Sequence, residues 1–115
     1  MGCCKSAKAQ NAVSADAARM ALVYAALSNP VRLEILAHVA RHRHCGCKDI
    51  TDVLPLAQST VSQHLKVLCE ADLILMEAVP PRSRYSVNEV LLQDVSRSTT
   101  HFLNACCGAD CDPLP

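Results

Sequence analysis

The stretch from Lys48 to Val87 constrains this chain more than any other. A proline breaks its helical pattern once, and the period then changes from helical to extended. Ile50, Val53 and Leu54 predict the inward face of a short helix over Lys48 to Leu54, which Pro55 stops because it offers no N–H and clashes with the preceding turn. A second helix opens near Gln58, with Val61, Leu65 and Leu68 at i, i+4, i+7 as its core face. That phase turns Ser59, Thr60, Ser62, Gln63 and Lys66 outward. Two short helices joined by a three-residue turn have the spacing of a helix-turn-helix. From Leu73 the pattern becomes extended. Leu73 to Val79, then Pro80, Pro81, Arg82 and Ser83, then Arg84 to Val87, predict a two-stranded hairpin with a basic tip.

The flanks are helical. Residues 1–14 show no period and read as a flexible arm. Ser14 offers an N-cap, followed by Met20, Val23, Tyr24 and Leu27 at helical spacing. Asn29 caps a second helix with Pro30 at its first position, and Val31, Ile35, Leu36 and Val39 form its buried stripe. A last helix over Asn88 to Ala105 is expected to bury Leu91, Val95 and Phe102, with Gly108 placed to end it. Length fits one domain at 115 residues. Tyr24, Tyr85 and Phe102 are the only aromatic residues, so the core must consist of small and branched aliphatics, which suits packed helices better than a sandwich. The order is that of a winged helix-turn-helix: mainly α with a small β-hairpin. Residues 15–105 form the domain, after the arm at 1–14 and before a cysteine-containing tail at 106–115. The apolar stripes of the first and last helices exceed what so small a core covers, and a homodimer would bury them while presenting two reading helices to a palindromic site.

Charge and motifs narrow the function. Eleven basic and eleven acidic residues cancel, so any DNA binding rests on a local patch. Ser, Thr and Gln side chains on the outward helix face supply neutral donors and acceptors for phosphates and base edges, and Gln63 has the groups to pair bidentately with adenine. Lys66, Arg82 and Arg84 supply cations where a wing flanks the duplex. The expected DNA-contacting set is Gln58, Ser59, Thr60, Ser62, Gln63, His64, Lys66, Arg82 and Arg84; His64 reads equally well as a packed or solvated side chain. No Cys-x-x-Cys, P-loop or dinucleotide fingerprint occurs and no Ser-His-Asp arrangement is readable, which argues against an enzyme. No apolar run is long enough for a bilayer, and residues 1–15 lack the apolar core of a signal peptide, so the expected location is the cytoplasm. Met1 to Ser6 satisfies a myristoylation pattern, but a lipid anchor has no use in a DNA-binding protein.

Three segments together, LSNPVRLEIL (Leu27 to Leu36), QSTVSQHLKVLCEADLI (Gln58 to Ile74) and RSRYSV (Arg82 to Val87), resemble the ArsR/SmtB family of metal-sensing repressors, over roughly Ala17 to Leu103. The resemblance implies a homodimer that holds double-stranded operator DNA and leaves it when a thiophilic metal or metalloid binds.

Eight cysteines are available to such an effector. In a reducing compartment thiols in this number point to metal or redox chemistry. Cys106 and Cys107 fall on the end of the last helix about 100° apart, and a break at Gly108 lets Cys111 fold back toward them. Three soft thiolates on one centre suit As(III) or Sb(III), as well as Cd(II), Pb(II) or methylated arsenic; no organic cofactor is expected. Family members that carry a C-terminal Cys-Cys pair with a third Cys nearby support the same reading. The family's Cys-Val-Cys-Asp-Leu motif has a shifted counterpart in HCGCKDI (His44 to Ile50), where Cys45 and Cys47 are one residue out of phase; His42 or His44 would be spare ligands, and Cys3 and Cys4 of the arm would complete a four-thiolate site. Cys69 reads as a buried inert thiol. The family's zinc site near both ends of the last helix is missing: beyond Glu89 its partners fall on Leu91, Phe102 and Ala105, and His101 stands one residue off. A thiol redox or persulfide sensor on the same fold is the alternative to a metalloid sensor.

Overall fold

The computed structural model describes residues 13–42 and 46–108. Helix α1 spans Ala15–Leu27, α2 Pro30–Arg41, α3 Cys47–Val53 and α4 Gln58–Glu70. Strands β1 (Ile74–Val79) and β2 (Arg82–Val87) form one antiparallel hairpin, and α5 (Glu89–Cys107) closes the order.

The helix starts are set by their caps. Ser14 Oγ accepts from the Ala17 N–H at 3.1 Å, and Asn29 Oδ1 accepts from both Val31 and Arg32 N–H groups at 2.8 and 3.2 Å, with Pro30 just inside. Helix α3 has no side-chain N-cap because Gly46 precedes it; instead Asp49 Oδ2 accepts from the Gly46 N–H at 2.9 Å. Helix α4 ends in a Schellman turn. The Leu73 N–H reaches the Leu68 carbonyl at 3.0 Å, and the Asp72 N–H reaches that of Cys69 at 3.0 Å. Asp72 takes the left-handed position at φ 62°, which a short polar side chain tolerates. Leu68 and Leu73 then meet in the core.

The core is one cluster of Val23, Ala26, Ile35, Val39, Ile50, Val61, Leu65, Leu68, Leu73 and Ile74. Helices α2, α3 and α4 surround it. Strand β1 lies on α4, and β2 lies on α2 and α3. Register pairs Ile74 with Val87 and Glu77 with Arg84. The hairpin turns at Pro80 and Pro81, whose peptide bond is cis. Arg82 and Ser83, expected in the turn, already belong to β2: each proline lacks an N–H for the ladder, so the prolines occupy the turn and the ladder resumes at once.

Two apolar expectations are corrected. Val53 is 62% exposed; as the final residue of a seven-residue helix it has no further turn above it, and Ile50 alone is buried there. Phe102 is 52% exposed, since only the first half of α5 reaches the core, through Leu91, Leu92 and Val95. The second half faces α1 across a groove of about 780 Å³ lined by Met20, Tyr24, His101 and Phe102 among others. Helix α5 runs to Cys107 and carries Cys106 and Cys107 on its last turn, with Gly108 at its end. Among the described residues no single helix is long and apolar enough to cross a membrane.

Candidate nucleic-acid interface and thiol sites

Ser59, Ser62, Gln63 and Lys66 recur at i, i+3, i+4, i+7 on α4, opposite the stripe of Val61, Leu65 and Leu68. All four are exposed, as is Gln58, whereas Thr60 and His64 are half-buried. Core burial of one stripe thus aims the polar one at solvent. Ala57 precedes α4 without a side-chain cap, so first-turn N–H groups and the positive end of the helix dipole add to this polar surface. Arg82 and Arg84 stand exposed on β2, while Ser83 and Tyr85 alternate inward. Glu77 sits across from Arg84 in register and dilutes the wing's positive charge.

His64 is anchored rather than loose. Arg32 on α2 donates through Nη1 to His64 Nδ1 at 3.3 Å, through Nε to the Ala26 carbonyl at 2.6 Å and through Nη2 to the Ala25 carbonyl at 3.4 Å. The sequence singled out His64 but not Arg32. The one signal was an arginine two residues after the Asn-Pro start of α2, which gives no hint of partners on α1 and α4.

The described thiols lie in three environments. Cys106 and Cys107 are exposed on the last turn of α5, and the chain leaves that axis at Gly108, whose φ of 83° with ψ of 174° is a glycine conformation. Cys47 opens α3 half-buried, its Sγ 3.6 Å from Ser62 Oγ on α4. Its neighbour Gly46 lies beside the wing, a Cβ position there standing 3.5 Å from the Ser83 carbonyl oxygen. Cys69 packs against the core, and burial, then Asp72 and Glu70, push its thiol upward, so it stays protonated. Burial likewise pushes Tyr85 up, with smaller contributions from Cys47 and Cys69. Among the described residues no three His, Cys, Asp or Glu side chains gather closely enough to hold an ion. Cys111, Cys45, Cys3, Cys4 and His44 lie outside the described residues.

His38 was not anticipated. It is buried at 8% exposure on α2 and its Nε2 has no partner. Its ring lies 4.5 Å, centroid to centroid, from that of His42. On the other flank, Arg19 of α1 pairs with Asp94 of α5 and Tyr24 hydrogen-bonds Thr99, tying the two outer helices together.

A helix-turn-helix domain family matches residues 27–77, from the end of α1 into β1. The chain is 37% identical over 67 residues to the arsenical resistance operon repressor of Bacillus subtilis, an alignment covering 57% of this chain and 63% of that protein, just under two thirds of its length. An ArsR-like transcriptional regulator from Rhodococcus superposes with a TM-score of 0.68 at 28% identity, covering 76% of this chain and 81% of that one. Reduced HlyU from Vibrio cholerae shares the fold at a TM-score of 0.59 and 23% identity, over 72% of this chain and 90% of its own. The wing that follows the matched segment and the superposition on the Rhodococcus regulator agree with that sequence match: the chain has a winged helix-turn-helix fold and is similar to ArsR-like regulators.

Proposed function

We propose that the protein is a cytoplasmic, homodimeric transcriptional repressor that holds double-stranded operator DNA and releases it when a thiophilic metalloid, As(III) or Sb(III), binds cysteine thiolates. The observation that carries the DNA half is the exposed stripe of Ser59, Ser62, Gln63 and Lys66 on α4, set beside Arg82 and Arg84 on the wing. An α-helix of this kind fits the major groove, where hydroxyls and amides read base edges and the cations take phosphates. The effector half rests on Cys106 and Cys107 at the solvent-facing end of α5, with Cys111 as the third ligand, and on similarity to a repressor of an arsenical resistance operon. Arsenous acid exchanges three hydroxyls for three thiols and releases three waters; the soft arsenic–sulfur bonds drive the exchange. Because α5 lies against α1, a ligand that regroups the end of α5 changes how the two outer helices sit. A coupling of about 1–3 kcal/mol suffices for release.

A specific contact favours a second reading. Cys47 Sγ stands 3.6 Å from Ser62 Oγ on the reading helix, so an adduct or oxidation at Cys47 would press on a DNA-contacting residue directly. One titration separates the two readings: operator release by As(III), followed by gel shift, in Cys106→Ser/Cys107→Ser and in Cys47→Ser. Loss of release in the first variant alone supports the C-terminal site. Unchanged release there, with loss in Cys47→Ser, moves the sensor to α3. Release by oxidant without metalloid, reversed by a reductant, assigns redox sensing instead.

A further inference from the structure

Arg32 and His64 join three helices at one point. The guanidinium caps α1 by donating to the Ala25 and Ala26 carbonyls in its last turn, of which Ala25 also accepts from the Ser28 N–H at 3.3 Å. Ser28 Oγ donates to the same Ala25 carbonyl at 2.8 Å, so this end of α1 is held from two sides. The remaining arm of Arg32 reaches α4 at His64 Nδ1. An arginine has no acceptor, so His64 Nδ1 must accept, and the ring then carries its proton on Nε2. Arg32 therefore sets both the tautomer and the orientation of a side chain flanked on α4 by the exposed Gln63 and Lys66.

From this geometry we infer that Arg32 is a positioning residue for DNA recognition. It locks the reading helix to the end of α1 through the acceptor at His64 Nδ1. The inference rests on the proposal that α4 reads DNA. It adds that α4 is held in place from α1 by a side chain, in addition to apolar packing, and that a residue remote from the exposed stripe governs the affinity of the stripe. A guanidinium fork suits this role because its donors lie in one rigid plane, so satisfying the α1 carbonyls fixes where the third donor points. Lysine keeps the charge but cannot span three acceptors in that geometry.

The test uses the full-length protein and a duplex selected from a randomised pool by the wild type, with a scrambled duplex as control. His64→Ala is expected to weaken binding to the selected duplex roughly tenfold, the worth of about one hydrogen bond to a charged group. His64→Asn, which keeps an acceptor near the Nδ1 position, should recover most of that loss. Arg32→Lys should cost about as much as His64→Ala, and the double variant little more than either single, because both remove the same link. Thermal unfolding monitors Arg32→Lys, whose lost contacts to α1 bear on folding; His64→Ala, half-buried on α4, keeps the test decisive if that variant unfolds. The inference is overturned if His64→Ala binds like wild type, if asparagine fails to restore binding, or if the losses in the two single variants simply add. Should the wild type itself fail to select any duplex, the proposed DNA function fails instead, and the two failures remain distinct.

Discussion

At the scale of single residues, His38 is the side chain whose environment most contradicts its chemistry. It is buried with an unpartnered Nε2. Burial above all, then the positive charges of His42 and Arg41, holds its pKa below the ordinary histidine value of 6.5. The folded chain thus binds a proton there less readily than the unfolded one. Stability contributed by the neutral ring is intact above about pH 6.5 and falls as pH drops through the lower folded value. His38→Leu should flatten that acid limb and, by removing an orphaned polar atom, raise stability at neutral pH by about 1 kcal/mol. Urea unfolding at pH 7.5 and 5.5, at fixed protein concentration, measures both effects. Lys66 and Arg84 belong to the same scale, and in the proposed interface they meet phosphates. Replacing either with alanine should weaken operator binding and make the log–log salt dependence shallower by about one. An unchanged slope in both would move the DNA face elsewhere.

At the scale of elements, sequence and structure agree wherever one face of a helix is strongly marked. Asn29 and Pro30 announce α2, and Asn29 does cap two N–H groups; Asn29→Ala should cost about 1 kcal/mol in denaturant unfolding without altering the DNA face. Val61, Leu65 and Leu68 fix the phase of α4, and with it which residues face outward. Agreement fails where an element is short or unsupported. Periodicity alone cannot tell that the last residue of α3 lacks a covering turn, so Val53 was expected inward. Nor does it show how far along α5 the core extends, which left Phe102 on the wrong side. The hairpin was legible, but its turn was too long by two residues, because basic residues suit a loop and a strand edge equally. Arg32 was illegible for a different reason: its hydrogen bonds go to acceptors on two other helices, and no local pattern encodes them.

At the scale of the whole molecule, α1 and α5 carry more apolar surface than the core can cover. No residue of α5 is fully buried, and Leu22, Tyr24, Phe102 and Leu103 remain exposed. A patch of this kind on the outer helices marks an association surface, in keeping with the homodimer proposed above. Phe102→Asp should therefore weaken self-association at least about tenfold, the effect expected for a buried aromatic anchor, while the circular dichroism of the monomer stays helical. Sedimentation equilibrium reads the first and the spectrum the second. An unchanged association constant would place the interface away from the end of α5.

The sequence by itself determined the order of elements, the caps, the phase of α4 and the resemblance to ArsR-like regulators, because each depends on local spacing and on side chains that act within a turn or two. It also named the thiols, whose chemistry is a property of the residue. Only the tertiary structure decided which residues are joined across elements: Arg32 to His64, Cys47 to Ser62, Tyr24 to Thr99, and His38 to nothing at its Nε2. Those pairings arise when packing brings helices together whose separation along the chain carries no periodic signal.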